Sequence, residues 1–439
     1  MRRYSSRGSR LLIVGLTLLC ASGAPARAPA QEPVMLAGHL ARFDAQGHLL
    51  PWTSWRDALQ REMRFYQGAP KDHGYPRFVT QTFLEADWSP DPGRHDTIPA
   101  MQDGMGIISY LQYYQWRGRR EPQYLATARA MGDYLLHEAL TPPNGAYPRF
   151  VRSTGTRGQF PEAANSGTQA DHPFEIEPDK GGIAGYALLK LFQATGERDY
   201  LHQALHLARV LVVNQIAGDR SHSPWPFRVD YRTGVGRGAI SGNMSYILRL
   251  LDGLQRQGYQ EFAQPRRALW RWIKEYQIPS ATADGALFAQ FFEDHDNPGN
   301  RTAWAPLSLA HYLLDRRSAL DPDWRRDVGT LMDFVRRNFI RREFGVTVCF
   351  EQDEDHDAWG GINSTYGAVL ALYAKATGSA ALAAEARQVL NFTLYAIDER
   401  GRPRDLVTHS SAGGWQEDAH TDVIHNFIDA MQAYPDWAD

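Results

Sequence analysis

Gly345 to Gly378 reads GVTVCFEQDEDHDAWGGINSTYGAVLALYAKATG. Val346 to Phe350 is a short β-like run of branched and aromatic residues. Acids follow at Glu351, Asp353, Glu354, Asp355 and Asp357, with His356 among them. After a Gly-Gly break, Ile362 to Ala376 has the pattern of a helix that is apolar almost all round, which requires cover on every side. Ala380 to Leu394 then alternates apolar and polar positions, as an outer, half-exposed helix does.

The same unit recurs along the chain. The turn-and-strand signature appears as GYPRFV from Gly74, GAYPRFV from Gly145 and SPWPFRV from Ser223. It returns as GALFAQFF from Gly285, GVTVCF from Gly345 and GRPRDLV from Gly401. Helices rich in small and apolar residues follow, starting near Asp103, Gly182, Gly242, Thr302, Gly361 and His420. Beyond a long first interval, these starts lie about 60 residues apart. Amphipathic partners are expected at Gln123–Glu138, Tyr200–Gln215, Glu261–Tyr276, Asp323–Phe339 and Ala380–Leu394. Trp55 to Tyr66 supplies a sixth, placed to pair with the last inner helix and close a ring.

Six buried helices alternating with six amphipathic ones describe an inner ring wrapped by an outer one. In this rhythm, carried by segments such as DKGGIAGYALLKLFQATGERDYLHQALHLARVL from Asp179, the chain resembles the (α/α)6 toroids of the six-hairpin glycosidase superfamily. The resemblance covers nearly the whole mature chain and is one of architecture. It implies an all-α (α/α)6 toroid of six helical hairpins, with short β-like segments and long loops at the N-terminal end of the inner helices. It also implies carbohydrate chemistry, by hydrolysis, elimination or epimerisation. An open helical repeat that binds protein is the alternative to closure.

Basic residues to Arg10, an apolar run from Leu11 to Ala21 and Ala28-Pro-Ala30 have the order of a secretory signal peptide. The expected division is therefore a signal peptide at 1–30 and one toroidal catalytic domain at 31–439, in a periplasmic or secreted protein. Cleavage after Ala30 removes five arginines and no acid, moving the net charge from −3 to −8. That balance argues against a nucleic-acid partner. No later stretch has transmembrane length, so no membrane association is expected after signal removal. Only Cys349 remains in the mature chain, which excludes an internal disulfide.

In such a toroid the inner helices run parallel, so their N-termini, with unsatisfied N–H groups, gather at one end. The site is expected there. Two acidic loops stand in parallel, FFEDHDNPGNRTAW and FEQDEDHDAWGG. They place Glu293 and Glu351 alike after a Phe, and Asp296 and Asp357 alike after a histidine. Paired carboxylates are the chemistry of glycoside hydrolysis, one donating a proton and the other activating water or attacking the sugar. Acids ahead of a helix also serve as plain N-caps. Glu293, Asp296, Glu351 and Asp357 are the leading catalytic candidates, with His295, His356, Arg301 and Trp359 binding or orienting sugar. The preferred function is an exported glycoside hydrolase acting on a poly- or oligosaccharide.

A second chemistry is visible. Asn243-Met-Ser-Tyr246 and Asn363-Ser-Thr-Tyr366 repeat at inner-helix starts, near Arg232 and Arg301. A polysaccharide lyase or uronyl epimerase needs a Tyr or His to move the proton beside a uronate carboxylate, and Asn or Arg to stabilise the enolate. Tyr246 and Tyr366 are the catalytic candidates for that reading, with Asn243, Asn363 and Arg232 binding substrate. In the last repeat, Trp415 offers a face to a sugar ring, and His420 at the helix start is a further site candidate. His425 reads as a core histidine. Glu175, Glu177, Asp179 and Lys180 are similar in placement to acidic positions of unsaturated glucuronyl hydrolases, with a helix cap the simpler role for Asp179. A third reading is a non-catalytic periplasmic glycan-binding protein. The partner is a carbohydrate, neutral or acidic. No cofactor is expected. The D-x-D-x-D spacing of Asp353, Asp355 and Asp357 suggests calcium, but Ala358 replaces the turn glycine and Ser364 the closing glutamate.

Overall fold

The computed structural model describes residues 34–76, 99–153, 174–291, 297–343, 345–403 and 418–439, apart from the side chains of 72 and 418–421. The expected leader, Glu293, His295, Asp296, Trp415 and the side chain of His420 lie outside the described residues.

Twelve long helices occur among the described residues. The outer ones are α1 (Trp55–Gly68), α3 (Pro122–His137), α5 (Arg198–Val213), α7 (Ala263–Trp272), α9 (Trp324–Phe339) and α11 (Ala380–Leu394). The inner ones are α2 (Pro99–Trp116), α4 (Pro178–Thr195), α6 (Ser245–Arg256), α8 (Trp304–Arg316), α10 (Gly360–Thr377) and α12 (Asp418–Ala433). A π turn carries α7 on to Ser280. Along the ring α2 touches α4, α4 touches α6, and so on to α12, which packs back on α2. α1 also touches α12. The circle is closed: the fold is an (α/α)6 toroid.

The outer helices fold as they do because their apolar positions keep a helical period. In α9, Val328, Leu331, Met332, Val335 and Phe339 are buried, while Arg325, Asp333 and Arg337 face out. Inner helices are buried on nearly all sides; in α10 every residue from Gly360 to Ala371 is buried. Such helices approach closely only where small residues meet. A Cβ at Gly182 of α4 would lie 2.7 Å from the backbone nitrogen of Ile247 in α6. Ser54 and Ser379 cap α1 and α11 through their side chains, and Pro122 and Pro178 open α3 and α4.

The expected β-like segments are short. Val346–Cys349 pairs with Ile340–Glu343, and Arg228–Asp230 pairs with Glu175–Ile176 and Gly236–Arg237. The Gly145 and Gly401 signatures yield single bridges, Leu140 to Val151 and Ile397 to Pro403, and the Gly285 signature begins as a 3-10 turn. A connector crossing a helix end has few neighbours with which to continue a ladder. None of the described helices is long and apolar enough to cross a membrane.

Candidate functional site in the toroid lumen

Residues of all six inner helices line a central cavity of about 370 Å³. α6 contributes Tyr246, Arg249 and Arg256; α8 contributes Trp304, Ser308, His311 and Asp315; α12 contributes Asp422, His425, Asn426 and Asp429. These spacings of three, four and seven are those of one helix face. The first residues of each stripe, Tyr246, Trp304 and Asp422, are buried, whereas Arg256, Asp315 and Gln432 at the other end are exposed. Among the described residues the lumen therefore meets solvent at the C-terminal end of the inner helices.

At the N-terminal end, Trp304 organises the wall. Its indole Nε1 donates to Glu351 Oε1 at 3.2 Å. A Cβ added at Gly361 would lie 3.3 Å from the indole's Cη2 and 3.4 Å from both its Cζ2 and Asp422 Oδ2, so the indole and Asp422 meet around Gly361. Tyr246 lies beside them. Burial pushes its hydroxyl well above the ordinary tyrosine range, and the negative charges of Asp422 and Asp179 add to this against the opposing Arg249. The hydroxyl is thus a held proton, suited to donate rather than to accept.

Behind Tyr246 is a buried charge cluster. Asp179, in the first turn of α4, accepts from the Lys180 backbone at 2.9 Å, and burial raises its pKa against the pull of Lys180. Lys180 Nζ donates to the Phe291 carbonyl at 2.7 Å and stands 3.6 Å from Glu177 Oε2. Arg228 Nε is 3.5 Å from Glu177 Oε1. Nearer the solvent-facing end of the lumen, a polar belt joins four inner helices. His311 Nε2 lies 2.8 Å from Asp429 Oδ2, Gln112 donates to Asp429 Oδ1, and Arg249 Nη2 lies 3.1 Å from His311 Nδ1. A guanidinium can only donate, so Nδ1 accepts and the imidazole proton on Nε2 faces Asp429. Burial works to raise the Asp429 pKa, yet the hydrogen bonds from His311 and Gln112 hold it below the usual value.

The sequence candidates divide accordingly. Tyr246 lines the lumen and Glu351 touches its wall through Trp304. Asn243 is buried beside them, accepting from Ser245 at 2.6 Å. Tyr366 is a correction: its hydroxyl donates to Glu385 at 3.0 Å and takes a long bond from Arg336, on outer helices α11 and α9. The shared motif falls out of phase, since α6 begins after Asn243 whereas α10 begins before Asn363. Asn363 is likewise turned from the site, stapling α10 to both backbone groups of Cys349.

The acidic loop is mostly consumed by its own contacts. Arg301 forks onto Asp353 at 2.8 and 3.0 Å, and Trp359 Nε1 donates to Asp355 at 2.8 Å. These contacts take up oxygens of Asp353 and Asp355, and among the described residues no group of three His, Cys, Asp or Glu is placed to hold a metal. His356 packs on Phe350, ring centres 4.5 Å apart, and is exposed. Asp357 is exposed too, its pKa raised by partial burial and by Asp355, and it does not line the lumen. Arg232 is an exposed partner of Asp230, stacked on Phe174, and also lies off the lumen.

Sequence reasoning passed over Arg249, His311, Asp422 and Asp429 as site residues. His425 is a second correction: it lines the lumen with Nδ1 3.0 Å from Ser109 Oγ. The signal was a polar stripe at Asp422, His425, Asn426 and Asp429 in an otherwise apolar helix.

No protein-family model matches the chain, and no curated protein does. Solved structures share its toroid. It is similar to cellobiose 2-epimerase from Spirochaeta thermophila, with 16% identity over 86% of this chain and 96% of that one and a TM-score of 0.60. A D-mannose isomerase aligns with 12% identity over 86% and 96%, with a TM-score of 0.62. A family 76 glycoside hydrolase from a bovine Bacteroides thetaiotaomicron strain aligns with 12% identity over 88% and 78%, with a TM-score of 0.59. At these identities the likeness is one of fold, the (α/α)6 toroid.

Proposed function

We propose that this chain is a carbohydrate-active enzyme, and specifically a glycoside hydrolase working on a poly- or oligosaccharide at the N-terminal end of its lumen. The observation that carries the reading is that Glu351 and Asp422 both stand close to the Trp304 indole, the first bonded to its Nε1 and the second beside it at Gly361. An indole wall suits a sugar ring, and two carboxylates close to it supply the two roles hydrolysis needs: protonating the leaving oxygen, and activating water or attacking the anomeric carbon. Tyr246, held protonated, donates a hydrogen bond to charge that builds on the sugar. Glu293 and Asp296 precede α8 in the chain and remain in the proposal as further acid/base candidates. Export by the 1–30 leader belongs to the same proposal, and N-terminal sequencing of the protein from a periplasmic fraction tests it.

A second reading, a uronate lyase or epimerase, draws support from the neutral Tyr246 hydroxyl and the imidazole of His425 in one lumen. The fold neighbours include epimerases as well as hydrolases. There Tyr246 would return a proton, and Asp422 or His425 would remove one.

A panel of neutral and uronate glycans, assayed for reducing ends and for the ultraviolet absorbance of unsaturated uronates, separates these. New reducing ends without unsaturation, lost by about 10²–10⁴-fold in Asp422→Asn and Glu351→Gln, is the expected result. Unsaturated product, or an epimerised glycan with no cleavage, shifts the assignment to the second reading. Binding without turnover makes the chain a glycan-binding protein.

A further inference from the structure

Arg249 lies three residues after Tyr246 on the same face of α6, one turn nearer the solvent-facing end of the lumen. Its Nη2 donates to the Ser308 carbonyl at 3.1 Å and to His311 Nδ1 at 3.1 Å, which hold the guanidinium in place. Its Nε is buried with no hydrogen-bond partner. Among the described residues no carboxylate pairs with it. Asp429 is engaged by His311 and Gln112, and Asp252 by Arg256, Arg266 and Arg316 together. Lys190 of α4 lines the same cavity, again with no ion pair among the described residues. The exposed rim at Arg256 and Asp315 opens this end of the lumen to solvent.

A half-buried cation without a counter-ion is costly, and an anion arriving in the cavity relieves that cost. Nη1 of this cavity-lining guanidinium makes no hydrogen bond among the described residues, and it can donate to a carboxylate oxygen. A turn of helix separates it from Tyr246 by about 5 Å, within the span of one pyranose. We infer that Arg249, with Lys190, receives the carboxylate of a uronic acid residue, so that the sugar bound in the lumen is acidic. This rests on the carbohydrate reading above and names its substrate class.

Titration calorimetry of the intact chain with uronate oligosaccharides and with their methyl esters tests it, because esterification removes only the charge. The free acids are expected to bind about 10- to 100-fold more tightly than the esters. Arg249→Gln should erase that preference, and Arg249→Lys should keep part of it, with melting curves confirming that both variants fold. Equal binding of acid and ester by the unaltered chain overturns the inference and needs no variant. Turnover of neutral glycans with no preference for uronates removes the inference while leaving the hydrolase reading intact. Failure to bind or turn over any glycan removes both.

Discussion

Two tyrosines from one sequence motif meet opposite fates. Tyr246 and Tyr366 both follow an Asn by three positions, and both hydroxyls are buried enough to be raised in pKa. Only Tyr246 faces the lumen. Tyr246→Phe should therefore lower turnover by about 10²-fold or more with little change in melting temperature. Tyr366→Phe should leave turnover unchanged and cost about 0.5–1.5 kcal/mol in denaturant unfolding, the worth of its bond to Glu385. Asp429 allows a pH test. Its folded pKa is depressed, so its contribution to stability is present above the unfolded value, about 3.9, and is lost as pH falls through the folded value. Asp429→Asn should cost about 1–3 kcal/mol near neutral pH. The gap from the unaltered chain should close in urea titrations carried below the usual aspartate range. Tyr246 was legible in the sequence because it opens a helix; Arg249 and Asp429 were not, because polar residues inside a helix can turn to a lumen or to solvent alike.

The helices were the most legible elements, since periodicity of apolar residues is a local property. α11 has the expected bounds of Ala380 and Leu394, and the other outer helices differ by a few residues at their ends. The β-like signatures proved poorer guides. A strand needs a partner, and at Gly145 and Gly401 the partner reduces to a single bridge. The loop from Glu351 to Asp357 misled for a related reason. Its acids look available in the sequence, but Arg301 and Trp359, one of them about 50 residues away, occupy two of them. Close packing of inner helices gives a prediction at this scale. Gly182→Ala would press a methyl group into the backbone of α6 and should destabilise the fold by about 1–3 kcal/mol, measured by thermal or urea unfolding.

At the scale of the molecule, closure joins segments more than 300 residues apart. Asn391 of α11 accepts from Trp55 Nε1 at 2.9 Å and donates to the Leu49 carbonyl at 2.7 Å, tying the start of the described chain to its last hairpins. Asn391→Ala removes both bonds and leaves buried polar groups unmatched, so a loss of about 1–3 kcal/mol and a lower melting temperature are expected by calorimetry. The closed ring also decides which residues can meet. Alternating buried and amphipathic helices and their number follow from apolar periodicity along the chain, whereas closure over an open repeat was settled by the last inner helix packing back on the first. Which polar side chains share the lumen depends on the rotational setting of each inner helix against its neighbours, a long-range packing outcome. Only the tertiary structure brought Tyr246, Arg249, Trp304 and Asp422 to one cavity and turned Tyr366 away from it.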